Sequence, residues 1–533
     1  MKLRRFIFRL FFASLCFIGT SLATAQSNLP QSGVYNLTYN NAEVGQVQRF
    51  GYPPGSGSGR WSMPLVYVSG FELSASEIID GAGGGQTPPH VKLDSLTSEN
   101  GNWPPFLRWL VASEGFTVYV VQPKNADAAI QTSSLALEAA LTDSNFELRQ
   151  HYYNTGNPSA VLGWSMGGVV ARYALAKMES NNVDHGASVY VSIDAPHRGA
   201  FLPTSLEVLV RSILDLKNEG SKIDFQGREF SADDIPDSII NIFRSLEAKL
   251  DSNAARQLLG VYLKTSNSIS SNFIAGSTVN LQNRYNAIGN DGSVAAHPSF
   301  YALRNEMLLF GGYPALTKNI GVTHGALDGT KVFPFSKSED VALNLTLKAW
   351  WNAPGSGGID KNIVRIDLWH DNHNQAQSVC KVRIGGSDTY INQSYYCPSS
   401  NMPDQHAAVV TAPGGTIDAL GKLDFLWETL PDPVVGSFAG RNLKFKFSTT
   451  AQASPVTSFV PSLSALDIPA GGWGVSVNSR THMTPFDAIY GNGSRNVAHN
   501  VVSASIAGSL VSEFDRAIVL RETTRAAAYA AVF

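Results

Sequence analysis

Between Leu65 and Ile193, short uninterrupted apolar runs alternate with stretches of helical spacing, and this alternation restricts the fold more than any other feature of the chain. Leu65-Val66-Tyr67-Val68, residues 116–121, Ala160-Val161-Leu162 and Val189-Tyr190-Val191-Ser192-Ile193 have the pattern of strands buried on both faces of a parallel sheet. Between them, 106–113, 132–141 and 169–178 place apolar residues at helical intervals. Strand, helix and parallel strand in succession form a βαβ unit, and several in a row predict a mostly parallel sheet with helices on both faces. Charged residues are 16% of the 533 and hydrophobic ones 44%, which excludes a disordered chain because enough apolar surface is present to offset chain entropy.

The texture changes twice downstream. Residues 206–259 are mostly helical by pattern, and 204–272 are expected to form a helical cover after the Val189 to Ile193 strand. From 341 to 447, segments such as 344–348, 364–368, 379–384 and 443–447 alternate apolar and polar residues. Turn signals such as Asp360-Lys361-Asn362 and Gly385-Gly386-Ser387-Asp388 bound them. This is the pattern of a β-rich insertion, which splits the α/β core into 26–340 and 448–533. The closing part contains an apolar helical pattern at 501–514, and 319–323 offers one more strand.

The first 25 residues have the form of an export signal. Lys2 to Arg9 are basic, the following stretch is apolar or small, and Ala23-Thr24-Ala25 fits the small-x-small cleavage pattern, so cleavage is expected before Gln26. Leu15 before Cys16 is not the small residue of a lipoprotein signal. No later segment has transmembrane length, so a soluble product, secreted or periplasmic, is expected. Net charge is −3 overall and −7 once Lys2, Arg4, Arg5 and Arg9 are gone, which lacks the electrostatic footprint of a nucleic-acid binder. Only Cys380 and Cys397 then remain, an even count suited to a disulfide across a hairpin. His370 and His373 enclose Asp371-Asn372, a polar turn rather than a metal site.

The chemistry is concentrated at Gly163-Trp164-Ser165-Met166-Gly167-Gly168, a G-x-S-x-G pattern between a strand and a helix. A serine at such a turn stands proud of the sheet, and the helix start directs free N–H groups toward it. An oxyanion formed by attack from Ser165 is expected to meet the Met166 N–H.

This segment, followed by Ile193-Asp194-Ala195-Pro196-His197-Arg198-Gly199-Ala200, resembles the α/β-hydrolase superfamily, and within it lipase- and esterase-like members with a D-x-P-H-x-G or T-P-H-x-G stretch. The resemblance covers residues 64–203 and, less closely, the last 35 residues, and it omits the β-rich insertion. It implies a Ser–His–carboxylate triad in the chain order nucleophile, acid, histidine, and ester hydrolysis without metal or organic cofactor. It points to His499, in Asn496-Val497-Ala498-His499-Asn500, as the base, with His482 the rival. Two acids stand open. Asp194 lies at the carboxyl end of a strand, where sites form in open α/β sheets. Asp467 follows Phe459-Val460-Pro461, which is similar to a lipase acid loop whose carboxylate position here holds Thr457. Asp328, Asp291 and Asp487 are further options, each also readable as a turn or cap residue. The Phe71 N–H, after Ser69-Gly70 where relatives often carry His-Gly, is the second oxyanion donor expected. His197 reads as a structural turn residue, and His324 as a surface or packing residue. The expected substrates are carboxylic esters of lipid or acyl type. The alternatives are an acyltransferase or polyester depolymerase on the same fold, or a non-catalytic exported binding protein. Oligomeric state is left open.

Overall fold

The computed structural model describes residues 31–51, 63–71, 96–98, 105–202, 210, 214, 222–225, 228–231, 237–260, 296–332, 339–351, 366–371, 380–384, 393–397, 412–418, 435–438, 441–449, 456–469 and 475–532. The export-signal reading of 1–25 lies outside these residues.

The four apolar runs become adjacent strands of one sheet. In chain order its strands are β1 (Gln31–Tyr39), β2 (Ala42–Phe50), β3 (Leu65–Val68), β4 (Val118–Pro123), β5 (Ser159–Trp164), β6 (Ala187–Ile193) and β7 (Lys318–Val322). Two shorter strands, β8 (Gly414–Asp418) and β9 (Val456–Pro461), form a separate ribbon, and β10 (Ala488–Tyr490) completes the large sheet. The sheet order is β1-β2-β4-β3-β5-β6-β7-β10. From β4 to β10 every neighbour is parallel, and β1 and β2 add an antiparallel edge. That edge hairpin has little apolar patterning. Its turn is built on Asn40 and Asn41, both left-handed (φ 51° and 64°), as a two-residue hairpin requires.

Alternate residues of each strand feed two cores. On one face Val66, Val68, Tyr119, Val161 and Tyr190 pack with α2 (Ile130–Thr142), α4 (Met166–Ser180) and α7 (Pro298–Leu309). On the other, Leu65, Tyr67, Val120, Leu162 and Val191 pack with α1 (Phe106–Ala112) and the N-terminal part of α8 (Ala504–Val532). The mostly parallel sheet covered on both sides follows from the period-2 burial of strands that are apolar throughout. The last helix differs from the sequence reading at its start: Val501–Val502 pairs with Thr97–Ser98, and the helix begins at Ala504.

The described part of 204–272 is not wholly helical. Lys222–Phe225 and Arg228–Ser231 form an antiparallel hairpin before α5 (Asp237–Leu250) and α6 (Asn253–Leu258). Ile240, Phe243, Leu250 and Leu259 pack with Val460 of β9. Six strands between Glu339 and Thr449 form an antiparallel sheet in which Cys380 faces Cys397 in register. The stretch 341–447 is not one unit. Within it β8 pairs with β9 rather than with those six strands.

Candidate active site

Ser165 sits between β5 and α4 with φ 54° and ψ −127°, a left-handed backbone that a non-glycine residue adopts only under constraint. The constraint is local: Ser165 N–H donates to Ile193 O (2.9 Å) and Gly168 N–H donates to Ser165 O (3.0 Å). Met166 opens the helix, so its N–H has no acceptor within the helix. The Ser69-Gly70-Phe71 loop after β3 comes against the serine. A Cβ added at Gly70 would lie 2.7 Å from Ser165 Cβ and 3.4 Å from its Oγ, so only glycine lets this backbone approach.

Asp194 ends β6 in a second left-handed conformation (φ 46°) and is wholly buried. Its Oδ2 accepts from His499 Nδ1 at 2.7 Å and its Oδ1 accepts the His324 main-chain N–H at 2.9 Å. The carboxylate can only accept, so His499 carries a proton on Nδ1. Its Nε2 is buried and has no hydrogen-bond partner among the described residues. The loop that carries His499 is fixed through its main chain: His499 N–H donates to Thr416 O (2.7 Å), while His499 O accepts Trp164 Nε1–H (3.0 Å) and His324 Nδ1–H (2.7 Å). Trp164, the residue before the serine, thus ties the elbow to the histidine. The Trp164 and Phe459 rings lie 5.5 and 5.0 Å from the imidazole.

A serine on a strand-to-helix elbow, an acid at the end of the next strand and a histidine after the last strand of a mainly parallel sheet decide the architecture. The chain has the α/β-hydrolase fold.

No protein-family model matches the chain, and no curated protein matches it. Solved structures similar to it include esterases and a lipase. A hyperthermophilic esterase from Pyrobaculum calidifontis is 15% identical, with 36% of this chain and 54% of that one covered, at a TM-score of 0.22. A Bacillus licheniformis lipase in mature form is 13% identical, covering 53% and 72%, at 0.25. A putative esterase from Staphylococcus aureus is 14% identical, covering 42% and 59%, at 0.20. The match spans about half the length of the Pyrobaculum esterase. The α/β-hydrolase assignment therefore stands on the strand order and the elbow of this chain.

Asp467 has other partners. It too is left-handed (φ 50°), and its carboxylate meets Arg172 Nη1 at 3.0 Å and Arg198 Nε at 2.8 Å and accepts the Tyr313 hydroxyl at 3.0 Å. His197 lies beside it, with Nδ1 3.2 Å from Arg172 Nη1 and Nε2 2.7 Å from Ser192 Oγ. Burial holds this imidazole well below its usual range, helped by Arg172, Arg304 and Arg198, so the ring is neutral and accepts from Arg172. His482 is exposed in a 3₁₀ turn. Asp328 accepts Thr330 N–H (2.9 Å) within a local turn, Asp487 accepts the N–H of Asn319 in β7 (2.7 Å), and Asp291 lies outside the described residues.

His324, expected to serve a surface or packing role, touches both Asp194 and His499. The available signal was its position at the carboxyl end of 319–323, since β7 is the neighbour of β6 in the sheet. Asp194, His324 and His499 bring ligand-type atoms within 4.8 Å of one another. Both Nδ1 atoms make the hydrogen bonds just described.

Proposed function

We propose that this α/β-hydrolase cleaves carboxylic esters through Ser165, His499 and Asp194. The observation that carries the reading is the buried 2.7 Å contact between His499 Nδ1 and Asp194, in a loop whose His499 carbonyl is bonded by Trp164, the residue before a serine in the elbow conformation. His499 Nε2 takes the hydroxyl proton as Ser165 Oγ bonds to the acyl carbon. Asp194 keeps the imidazole in the required tautomer and stabilises the imidazolium. The tetrahedral oxyanion is met by the Met166 and Phe71 N–H groups. His499 then passes the proton to the departing alcohol, and the acyl-enzyme is hydrolysed by a water that gives its proton to the same Nε2. Phe71 and Phe459, near the serine and the histidine, supply apolar surface suited to an acyl chain.

The same reading places the chain outside the cytoplasm, on the basis of 1–25, and joins Cys380 to Cys397, on the basis of their facing register. Among the described residues no helix is long and apolar enough to cross a membrane.

The test is labelling of the purified chain with a fluorophosphonate, alongside Ser165→Ala, His499→Ala and Asp194→Asn. Labelling that requires Ser165 and His499 is expected, with Asp194→Asn strongly slowed. A folded wild-type chain that neither takes the probe nor hydrolyses p-nitrophenyl esters would overturn the reading and favour a binding protein on the same fold.

A further inference from the structure

His324 holds the acid and the base together. It lies just past β7 and is wholly buried. Its main-chain N–H donates to Asp194 Oδ1 (2.9 Å), which directs the other oxygen toward His499. Its Nδ1 donates to the main-chain carbonyl of His499 (2.7 Å), and because a carbonyl only accepts, the proton sits on Nδ1. One residue therefore grips the carboxylate with its backbone and the base with its ring. The contacts join three separate parts of the chain, since Asp194 lies 130 residues before His324 and His499 lies 175 after it.

A packing role does not explain an imidazole at this position. Its second nitrogen, Nε2, is buried without a hydrogen-bond partner among the described residues, a cost that a phenyl or aliphatic side chain of similar volume would avoid. The ring is kept below the usual histidine range, first by burial and then by His499, against the pull of Asp194, so it remains a neutral donor. The charged and titratable groups facing it are Asp194 at the end of β6 and His499 on the base loop. The second donor to the same carbonyl, Trp164 Nε1, comes from the elbow. Each lone pair of His499 O is thus occupied, one by the nucleophile strand and one by β7.

We infer that His324 is a positioning residue for the reaction: its Nδ1–H sets the main-chain position of His499 and thereby the His499–Asp194 hydrogen bond. This rests on the triad reading above. His324 touches no reacting atom.

The experiment compares wild type, His324→Phe and His324→Asn in the full chain, with Ser165→Ala as the blank. Steady-state hydrolysis of p-nitrophenyl butyrate is measured beside the low-field proton resonance of the His499 Nδ1–H bridge in ¹⁵N-histidine-labelled protein. In His324→Phe, kcat is expected to fall by about 10- to 100-fold, the scale of a misplaced catalytic group, with KM nearly unchanged. The bridge resonance should shift or broaden. His324→Asn, whose amide retains a donor, should recover most of kcat and keep the resonance. If His324→Phe does not fold, His324→Ala carries the same expectation. The inference is overturned if the donor-less variant keeps both kcat and the resonance, or if Asn is no better than Phe. Failure of wild type to hydrolyse the ester or take a fluorophosphonate would instead sink the triad reading. The resonance, which needs no turnover, separates the two failures.

Discussion

Gly415 of β8 crosses directly over the Asp194 carboxylate, and Gly415→Ala tests how tightly the acid and base are held. The added methyl would lie 2.8 Å from Asp194 Cγ and 3.1 Å from Oδ1, and would overlap Oδ2. Carbon contacts rest at about 3.5–4.0 Å, and the overlap with Oδ2 is deeper than that with Cγ, so relief requires a movement of at least about 1 Å. Asp194 is poorly placed to retreat, because its main-chain N–H donates to Val322 O (2.7 Å) and both carboxylate oxygens are bound. β8 cannot lift away alone either: Thr416 N–H donates to Val497 O (2.9 Å), and Thr416 O accepts the His499 N–H (2.7 Å). Whichever side yields, the imidazole moves relative to Ser165. A displacement of that size costs about 100-fold in kcat, or about 2.7 kcal/mol of barrier. Overpacking adds about 1–3 kcal/mol of lost stability. The assays are ester hydrolysis, the rate of fluorophosphonate labelling, and the thermal midpoint. Gly508→Ala serves as control, because a Cβ there meets nothing within 4 Å. Wild-type kcat and midpoint in Gly415→Ala would refute the argument that β8 clamps the pair.

Asp467→Ala should destabilise by about 3–5 kcal/mol, because Arg172 and Arg198 lose their shared carboxylate and Arg172 is only 8% exposed. Activity per folded molecule should stay near wild type. Asp194→Asn should do the reverse, losing about 10⁴-fold in kcat with little change in urea midpoint. Equal effects of the two variants on activity would contradict the separation of these sites. His197 and His324 are both held below the ordinary 6.5 by burial, so below that pH the unfolded chain binds protons that the folded chain refuses. Stability should therefore be level above pH 6.5 and fall as pH drops beneath it, by up to about 1.4 kcal/mol per pH unit for each histidine. Urea midpoints unchanged between pH 7 and pH 5 would exclude this. Thiol titration of unreduced, unfolded protein should find Cys380 and Cys397 blocked, and reduction should cost on the order of 3 kcal/mol. Two free thiols after purification from an oxidising compartment would remove the proposed bridge.

Strands β3 to β6 were legible because residues apolar on both alternating faces have few homes other than a covered parallel sheet. The elbow was legible because its chemistry is local, needing six consecutive residues between a strand and a helix. β1 and β2 were not read, since an edge hairpin is half-polar and its signal shrinks to the Asn40-Asn41 turn. The segment 204–272 was read as helical from its charge and apolar spacing, which hid the Lys222–Phe225 and Arg228–Ser231 hairpin. Asp194 and Asp467 could not be told apart in one dimension. Both are left-handed aspartates in turns, and what distinguishes them is company: two histidines for one, two arginines for the other. His324 and Gly415 were missed for the same reason, because their roles exist only after β7 and β8 are set beside Asp194.

The bridge from Asp194 to His499 closes 305 residues of chain, and the Trp164 contact to the same histidine closes 335. Connections of that span form late, since their loop entropy has to be met by structure already in place. The large sheet can collapse around β3 to β6, with its tyrosines buried, while the histidine is still elsewhere. On refolding, ester hydrolysis should therefore return after the helical and aromatic signals have recovered. Activity would then report that the stretch around Trp164 and Asp194 has met the distant stretch around His499.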